Sequence, residues 1–137
     1  MAALQWRDVT VGTLRFVPLT QGLSPLDPLL AAQVDPALTR HAWEFGRLVL
    51  DPNYRSGPEL VRRSIFLGVQ HLSEHTDARH VFASCTPALA RLYRRYGFSV
   101  VSSGISTRGS SEAYCLIHGE VDDVLCAAAD RPAALLN

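Results

Sequence analysis

Trp43-Glu44-Phe45-Gly46-Arg47-Leu48-Val49-Leu50-Asp51-Pro52-Asn53-Tyr54-Arg55-Ser56-Gly57-Pro58-Glu59-Leu60-Val61-Arg62-Arg63 is the stretch that decides the fold of this chain. Its first part is an apolar run with strand character, carried by Phe45, Leu48, Val49 and Leu50 and stopped by Asp51-Pro52. A short turn holding Arg55 and Gly57 follows. Pro58, a residue suited to the first turn of a helix, then restarts regular structure. A strand, a loop and a helix N-terminus in that order gather unpaired backbone N–H groups and the positive end of a helix dipole at one spot, a natural seat for a phosphate or another anion.

Downstream, Leu60, Val61, Ile65, Phe66, Val69 and Leu72 recur at helical spacing to about Glu74, with Gly68 implying close approach to a neighbouring strand. His80 to Cys85 reads as a buried strand, and Thr86-Pro87 as an N-cap followed by a first-turn proline. The helix that starts there carries Leu89, Leu92, Tyr93 and Tyr96 on one face and Arg91, Arg94 and Arg95 on the other. It ends at Gly97, a left-handed cap residue. Phe98 to Val101 and Ala113 to Ile117 form an expected antiparallel pair across the Ser/Gly-rich connection Ser102 to Ser111, and the tail after Glu120 has weak helical character.

Upstream, Leu4 to Arg7 and Val11 to Val17 read as a hairpin with Leu14 and Phe16 on one face and Arg15 on the other. Prolines break the connection from Pro18 to Ala42, within which Asp27 is expected to cap a short helix over Pro28 to Val34. A connection of this length either faces the substrate or is a tolerated insertion, and both readings stay open. Strands and helices alternate in the middle, so the order predicts at least one right-handed crossover and a mixed sheet in an α/β (α+β) domain.

The chain has 137 residues, 47% of them hydrophobic, enough for a single domain over 1–137 with a core of its own. Thirteen basic residues balance thirteen acidic ones, which argues against a general nucleic-acid binder, so any anion site is local. No apolar segment approaches the roughly 20 residues that span a bilayer, and the N-terminus lacks the features of a leader; a cytoplasmic protein away from membranes is expected. The three cysteines, Cys85, Cys115 and Cys126, are spaced as reduced thiols rather than as a disulfide framework or zinc motif. His71 and His75 lie at i, i+4, but no third ligand has a supporting spacing, and no metal is expected.

Ala90-Arg91-Leu92-Tyr93-Arg94-Arg95-Tyr96-Gly97-Phe98 resembles the second motif block of the GCN5-related N-acetyltransferase (GNAT) superfamily, and it lies about forty residues after a strand-loop-helix junction like that family's acyl-donor site. Gly12 to Leu19 and Trp43-Glu44-Phe45-Gly46-Arg47-Leu48 are similar to blocks of the acyl-homoserine lactone synthases and N-acyl amino acid synthases, the acyl-carrier-protein-using branch. The resemblance implies a GNAT-like, mostly antiparallel central sheet with two main helices packed on it. It implies acyl transfer from a pantetheine thioester, either acyl-CoA or acyl-phosphopantetheine on a carrier protein, to a small amine acceptor. Relatives carry further elements before the equivalent of Leu4, so the chain looks N-terminally shortened. The sheet edge left uncovered predicts a homodimer or a partner chain.

The same resemblance places Arg15, Glu44 and Arg47 at the family's charged positions, with Gly46 where the synthases have Ser. Glu44 and Arg47, three apart, start on opposite faces of a strand unless a bulge intervenes, a feature for which the superfamily is known. Glu44 suits a base for the attacking amine or a salt-bridge partner of Arg15 or Arg47. Arg15 and Arg47 suit a substrate carboxylate or the organisation of the sheet. Tyr93 stands where the superfamily has a general acid for the departing thiolate, or is a core tyrosine. The donor would lie along Leu48, Val49 and Leu50 and over Arg55, Ser56 and Gly57. Ser56-x-x-Glu59 also reads as a capping box and Pro58 removes a backbone donor, which makes a poor pyrophosphate cradle. Arg55, Arg62 and Arg63 then suit a single phosphate or an acidic carrier surface. An ordinary acetyl-CoA-dependent enzyme and a non-catalytic binding subunit remain open.

Overall fold

The computed structural model describes residues 2–6, 9–24, 26–50, 58–106 and 113–129, with side chains at 14–24, 26–46, 60–104 and 113–129. Strands β1 (Ala2–Trp6) and β2 (Val9–Pro18) form the expected hairpin. Two short helices follow, α1 (Asp27–Gln33) and α2 (Pro36–Thr39), then β3 (Ala42–Leu50) and the long helix α3 (Pro58–His75). Next come β4 (His80–Cys85) and α4 (Pro87–Tyr93), the latter closed by a 3-10 turn at Arg94–Tyr96. The chain continues through β5 (Phe98–Ser106), β6 (Ala113–Glu120) and α5 (Val121–Ala128). The sheet order is β1-β2-β3-β4-β6-β5; β3 and β4 run parallel across α3, and the other described pairs are antiparallel.

Side-chain alternation divides the core in two. Leu14, Phe45, Val81, Ala83, Cys85, Phe98, Cys115 and Ile117 point to the face covered by Ile65, Val69 and Leu72 of α3, by Ala90, Tyr93 and Tyr96 of the second helical segment, and by Val121, Val124 and Ala128 of α5. Leu19, Ala42, Phe82 and Leu116 face the other way and are covered by Leu26 and by Leu30 of α1. Two main helices were expected on the sheet; α5 is a third on the first face. Its apolar residues at 121, 124 and 128 carry a helical stripe that its short length obscures.

Local chemistry sets several boundaries. Thr86 caps α4, its Oγ1 accepting from the Leu89 N–H at 3.3 Å. Gly97 ends the 3-10 turn at φ +88°, and a Cβ there would stand 2.9 Å from the Asp123 carbonyl oxygen, so glycine is required twice over. At Gly68 a Cβ would collide with Leu14 Cδ2, which confirms the close approach of α3 to the sheet. Three expectations need correction. Asp27 is the first residue of α1 rather than its cap; its carboxylate accepts from the Thr20 and Gly22 N–H groups at 2.8 and 2.9 Å, clasping the preceding loop. Leu89, expected on the buried face of α4, is 40% exposed, and Ala90 takes its place. β5 extends through the serines to Ser106, with two register shifts against β6 absorbing the irregularity.

Candidate active site

The site is built by a fork in the sheet. β3 and β4 pair at Ala42–His80, Trp43–Val81 and Glu44–Phe82. Beyond Glu44 the described pairing is with other strands: β3 follows β2 to Leu50, while β4 follows β6 to Cys85. The cause lies in β3. From Thr13 to Arg15 β2 advances two residues, whereas its partner goes from Val49 to Gly46, three residues, so an extra residue is inserted around 47–48. A bulge of this kind bends its strand and raises its twist. The expected bulge after Glu44 is thus present, and Arg47 lies on it.

Glu44 occupies the last paired position before the fork. Its Oε1 accepts from Ser24 Oγ at 2.8 Å, and Ser24 Oγ in turn accepts from the Leu26 N–H at 3.0 Å. Ser24 is buried, so one hydroxyl ties the start of the α1 segment to the carboxylate. Of the salt-bridge partners considered for Glu44, Arg15 makes no ion pair with it among the described residues. Arg15 is half-buried on β2, directly opposite Gly46, and shares the Glu44 face. Ser24 was not singled out in the sequence; it lies twenty residues away inside the proline-rich connection, which this contact brings to the site.

On the opposite face Phe45 meets Tyr93 edge-on at 5.8 Å and Phe98 at 5.3 Å, with Tyr93 and Phe98 5.9 Å apart. The Tyr93 phenol is buried and pushed up to about 12, first by desolvation and then by Cys85. Cys85 is itself pushed up to about 11 by burial and by its neighbour Cys115, which holds it as an unreactive thiol; both thiols, and that of Cys126, are free.

The donor-side expectations are only partly visible. Arg55, Ser56 and Gly57 lie outside the described residues, as do the side chains of Arg47, Leu48, Val49, Leu50 and Glu59, the capping box included. Arg62 and Arg63 are half-buried on α3, and Arg62 Nη1 donates to the Ala128 carbonyl at the end of α5, which spends one of its five donors on packing the two helices. Elsewhere, His75 Nδ1 lies 2.8 Å from the His71 carbonyl oxygen, and no group of three His, Cys, Asp or Glu is gathered for a metal among the described residues. An unforeseen pair, His80 Nδ1 and His118 Nε2, sits 2.9 Å apart on the Phe82 face. Burial and His80 pull His118 down, against an upward pull from Asp123. No described helix is long and apolar enough to cross a membrane.

Known structures share this fold. The acyl-homoserine lactone synthase LasI superposes with a TM-score of 0.69 at 16% identity, over 93% of this chain and 67% of that one. FeeM, an N-acyl amino acid synthase from uncultured soil microbes, gives 0.65 at 19% identity over 91% and 74%. An N-acetyltransferase from Lactobacillus plantarum gives 0.60 at 17% over 85% and 64%. At these identities the likeness establishes the GNAT-type fold, and the chain spans about two thirds of the length of such relatives. No curated protein matches the chain significantly. The model of the FeeM N-acyl amino acid synthase family matches residues 1–131, so the chain belongs to that family.

Proposed function

We propose that this domain is an N-acyltransferase that moves an acyl group from a pantetheine thioester to the amine of a small amino-acid-like acceptor. The observation that carries this reading is the fork itself, with a carboxylate held by a buried hydroxyl at its apex. Among the described residues the β3 backbone beyond Glu44 has no partner on its β4 side, which suits an extended ligand with amides of its own, as a pantetheine arm has. Leu48, Val49 and Leu50 supply that edge, and the 51–57 loop with Arg55, Ser56 and Gly57, together with Arg62 and Arg63, would meet the donor phosphate.

Glu44 takes a proton from the acceptor, directly or through water, so that the neutral amine attacks the thioester carbonyl. Arg15 and Arg47 bind the acceptor carboxylate. The C–S bond then breaks and the sulfur leaves as a thiolate. Tyr93 holds its proton at neutral pH, but full transfer from a phenol near 12 to a thiolate of ordinary acidity near 8.5 is uphill by about 5 kcal/mol. Tyr93 therefore serves as a hydrogen-bond donor to the developing thiolate, which takes its proton from solvent. Acyl-CoA and acyl carrier protein are the two donors, and a cytoplasmic homodimer covering an edge strand is the assembly; the free thiols suit a reducing compartment.

Thermal shift with coenzyme A and with loaded carrier protein identifies the donor, because only a ligand of the folded state raises the midpoint. If neither does, the non-catalytic reading stands in place of this one. Glu44→Gln and Tyr93→Phe are then assayed for amine acylation, and unchanged rates in both remove the mechanism. Gel filtration at several concentrations tests the dimer.

A further inference from the structure

We propose that Gly46 is the specificity-determining position of the acceptor site. Its bare backbone is the floor over which an α-amino acid lies, amine toward Glu44 and carboxylate toward Arg15, with the substituent of the α-carbon passing across residue 46. This rests on the acyl-transfer reading and deepens it.

A glycine inside a strand weakens it, because more backbone freedom is lost on folding and no side chain packs. Gly46 flanks the bulge at 47–48, but two other structural reasons for accepting that cost, a left-handed backbone and a close neighbour, are missing here. Gly46 is not in the left-handed region, and among the described residues a Cβ on it would meet nothing within 4 Å. Gly97 and Gly119 contrast with it, since a Cβ at either would come within 3 Å of a neighbour. Space above Gly46 is therefore left open by the fold rather than filled by it.

The position of that space gives it meaning. Gly46 is the cross-strand partner of Arg15 and lies two residues beyond Glu44, so all three share one face of the sheet. Facing Cβ positions are about 5 Å apart across the strands, and residues two apart are about 7 Å apart along one. Arg15 and Glu44 thus flank residue 46 from two directions at right angles. The diagonal from Arg15 to Glu44 runs between Gly46 and Val17, the cross-strand partner of Glu44. Of these two corners Gly46 is the one without a side chain, so a molecule that carries an amine and a carboxylate on one carbon, and that reaches both charged side chains, has its room on the Gly46 side. Ser24 fixes the Glu44 corner of this seat. The fork opens immediately beyond, so the amine at Glu44 also faces the strand edge proposed for the thioester.

The test uses the full chain as wild type, Gly46→Ala and Gly46→Val, with a thioester donor and glycine, alanine, phenylalanine and tyrosine as acceptors. The same amino acids are also tested for thermal shift without donor. Both variants should melt at or above the wild-type midpoint. KM for acceptor should rise with side-chain size, by about tenfold or more for Gly46→Val with aromatic acceptors, while kcat stays within about threefold and KM for donor is unchanged. Acceptor KM values and their size order unmoved in both variants overturn the proposal and leave acyl transfer standing. A lowered midpoint for Gly46→Ala also overturns it, because the space would then be structural. If wild type acylates no amino acid, the acyl-transfer reading falls and thermal shift decides the seat. Amino acids that stabilise wild type but not Gly46→Val uphold it, and no stabilisation overturns it too.

Discussion

Replacing Ser24 by alanine tests the corner on which the site depends. The Ser24 hydroxyl does two jobs: it donates to Glu44 Oε1 at 2.8 Å and accepts from the Leu26 N–H at 3.0 Å. A hydrogen bond to a carboxylate contributes about 1.5–3 kcal/mol, and a buried donor left without its partner costs about 1–3 kcal/mol. Glu44 is only half-buried, so water recovers part of the first term, whereas Leu26 is buried and recovers little. A net cost of about 3 kcal/mol follows. At about 2.1 cal/mol/K per residue, a chain of 137 residues melts with an entropy near 290 cal/mol/K, so Tm should fall by about 10 °C. The assay is calorimetric unfolding of wild type, Ser24→Ala, Glu44→Gln and the double variant, together with acylation rates. The cycle should give a Ser24–Glu44 coupling of at least about 1 kcal/mol, and kcat should fall about tenfold through loss of carboxylate orientation. A Tm within about 2 °C of wild type with a coupling below about 0.5 kcal/mol refutes the reasoning; the hydroxyl would then neither hold the loop nor aim the carboxylate.

Gly97→Ala should cost about 2–3 kcal/mol, from the left-handed backbone and the 2.9 Å approach to the Asp123 carbonyl, and lower Tm by about 7–10 °C; a fall under about 3 °C sinks that account. His118 titrates below its ordinary value in the fold, so the unfolded chain takes the proton first. Its contribution is full above about pH 6.5 and is lost as pH falls below that toward the lowered value. Urea midpoints at pH 8 and pH 5 should therefore differ, and by less in His118→Gln; an equal difference in both proteins removes His118 as the cause. Cys85 and Tyr93 are raised from 9.0 to about 11 and from 10.0 to about 12, so both stabilise fully below about pH 9 and lose that contribution as pH rises from there to about 12. Cys85→Ala with Tyr93→Phe should flatten the alkaline limb, and a limb as steep as wild type rules these two groups out.

What was legible in the sequence was the chemistry of neighbours. Asp51-Pro52 and Pro58 marked the strand-to-helix junction, Thr86-Pro87 marked the start of α4, and Gly97 marked the end of the 3-10 turn that closes it, because caps and breakers act within one turn of themselves. Gly68 also signalled its close neighbour, although not which residue it would be. What failed was partner choice over distance. Asp27 has the right residue type for a forward cap, yet its oxygens accept from the Thr20 and Gly22 N–H groups behind it. Ser24 reads as one more loop serine until the sheet brings Glu44 to it. His80 and His118 are 38 residues apart and meet only because β6, not β5, lies next to β4.

Under the proposed function, the placement of Glu44 reconciles two demands that oppose each other in an acyl-transfer site. A base works only if its geometry is fixed, whereas a thioester donor needs a strand edge that nothing else occupies. β3 meets the first demand with its initial residues, paired on both sides by β2 and β4, and the second with its later ones, which keep β2 but leave β4. The bulge is the device that divides them, and it falls after Glu44 rather than before it, so the carboxylate stays in the rigid half. Clamping from both faces reinforces this. Phe45, next in sequence, is locked between Tyr93 and Phe98 on one side, and Ser24 holds Glu44 on the other. Gly46 then follows, where among the described residues a Cβ would meet nothing within 4 Å. Under the proposed function the order Glu44, Phe45, Gly46, Arg47 therefore reads as base, anchor, opening and bulge, four consecutive positions set apart by pleat alternation and one inserted residue.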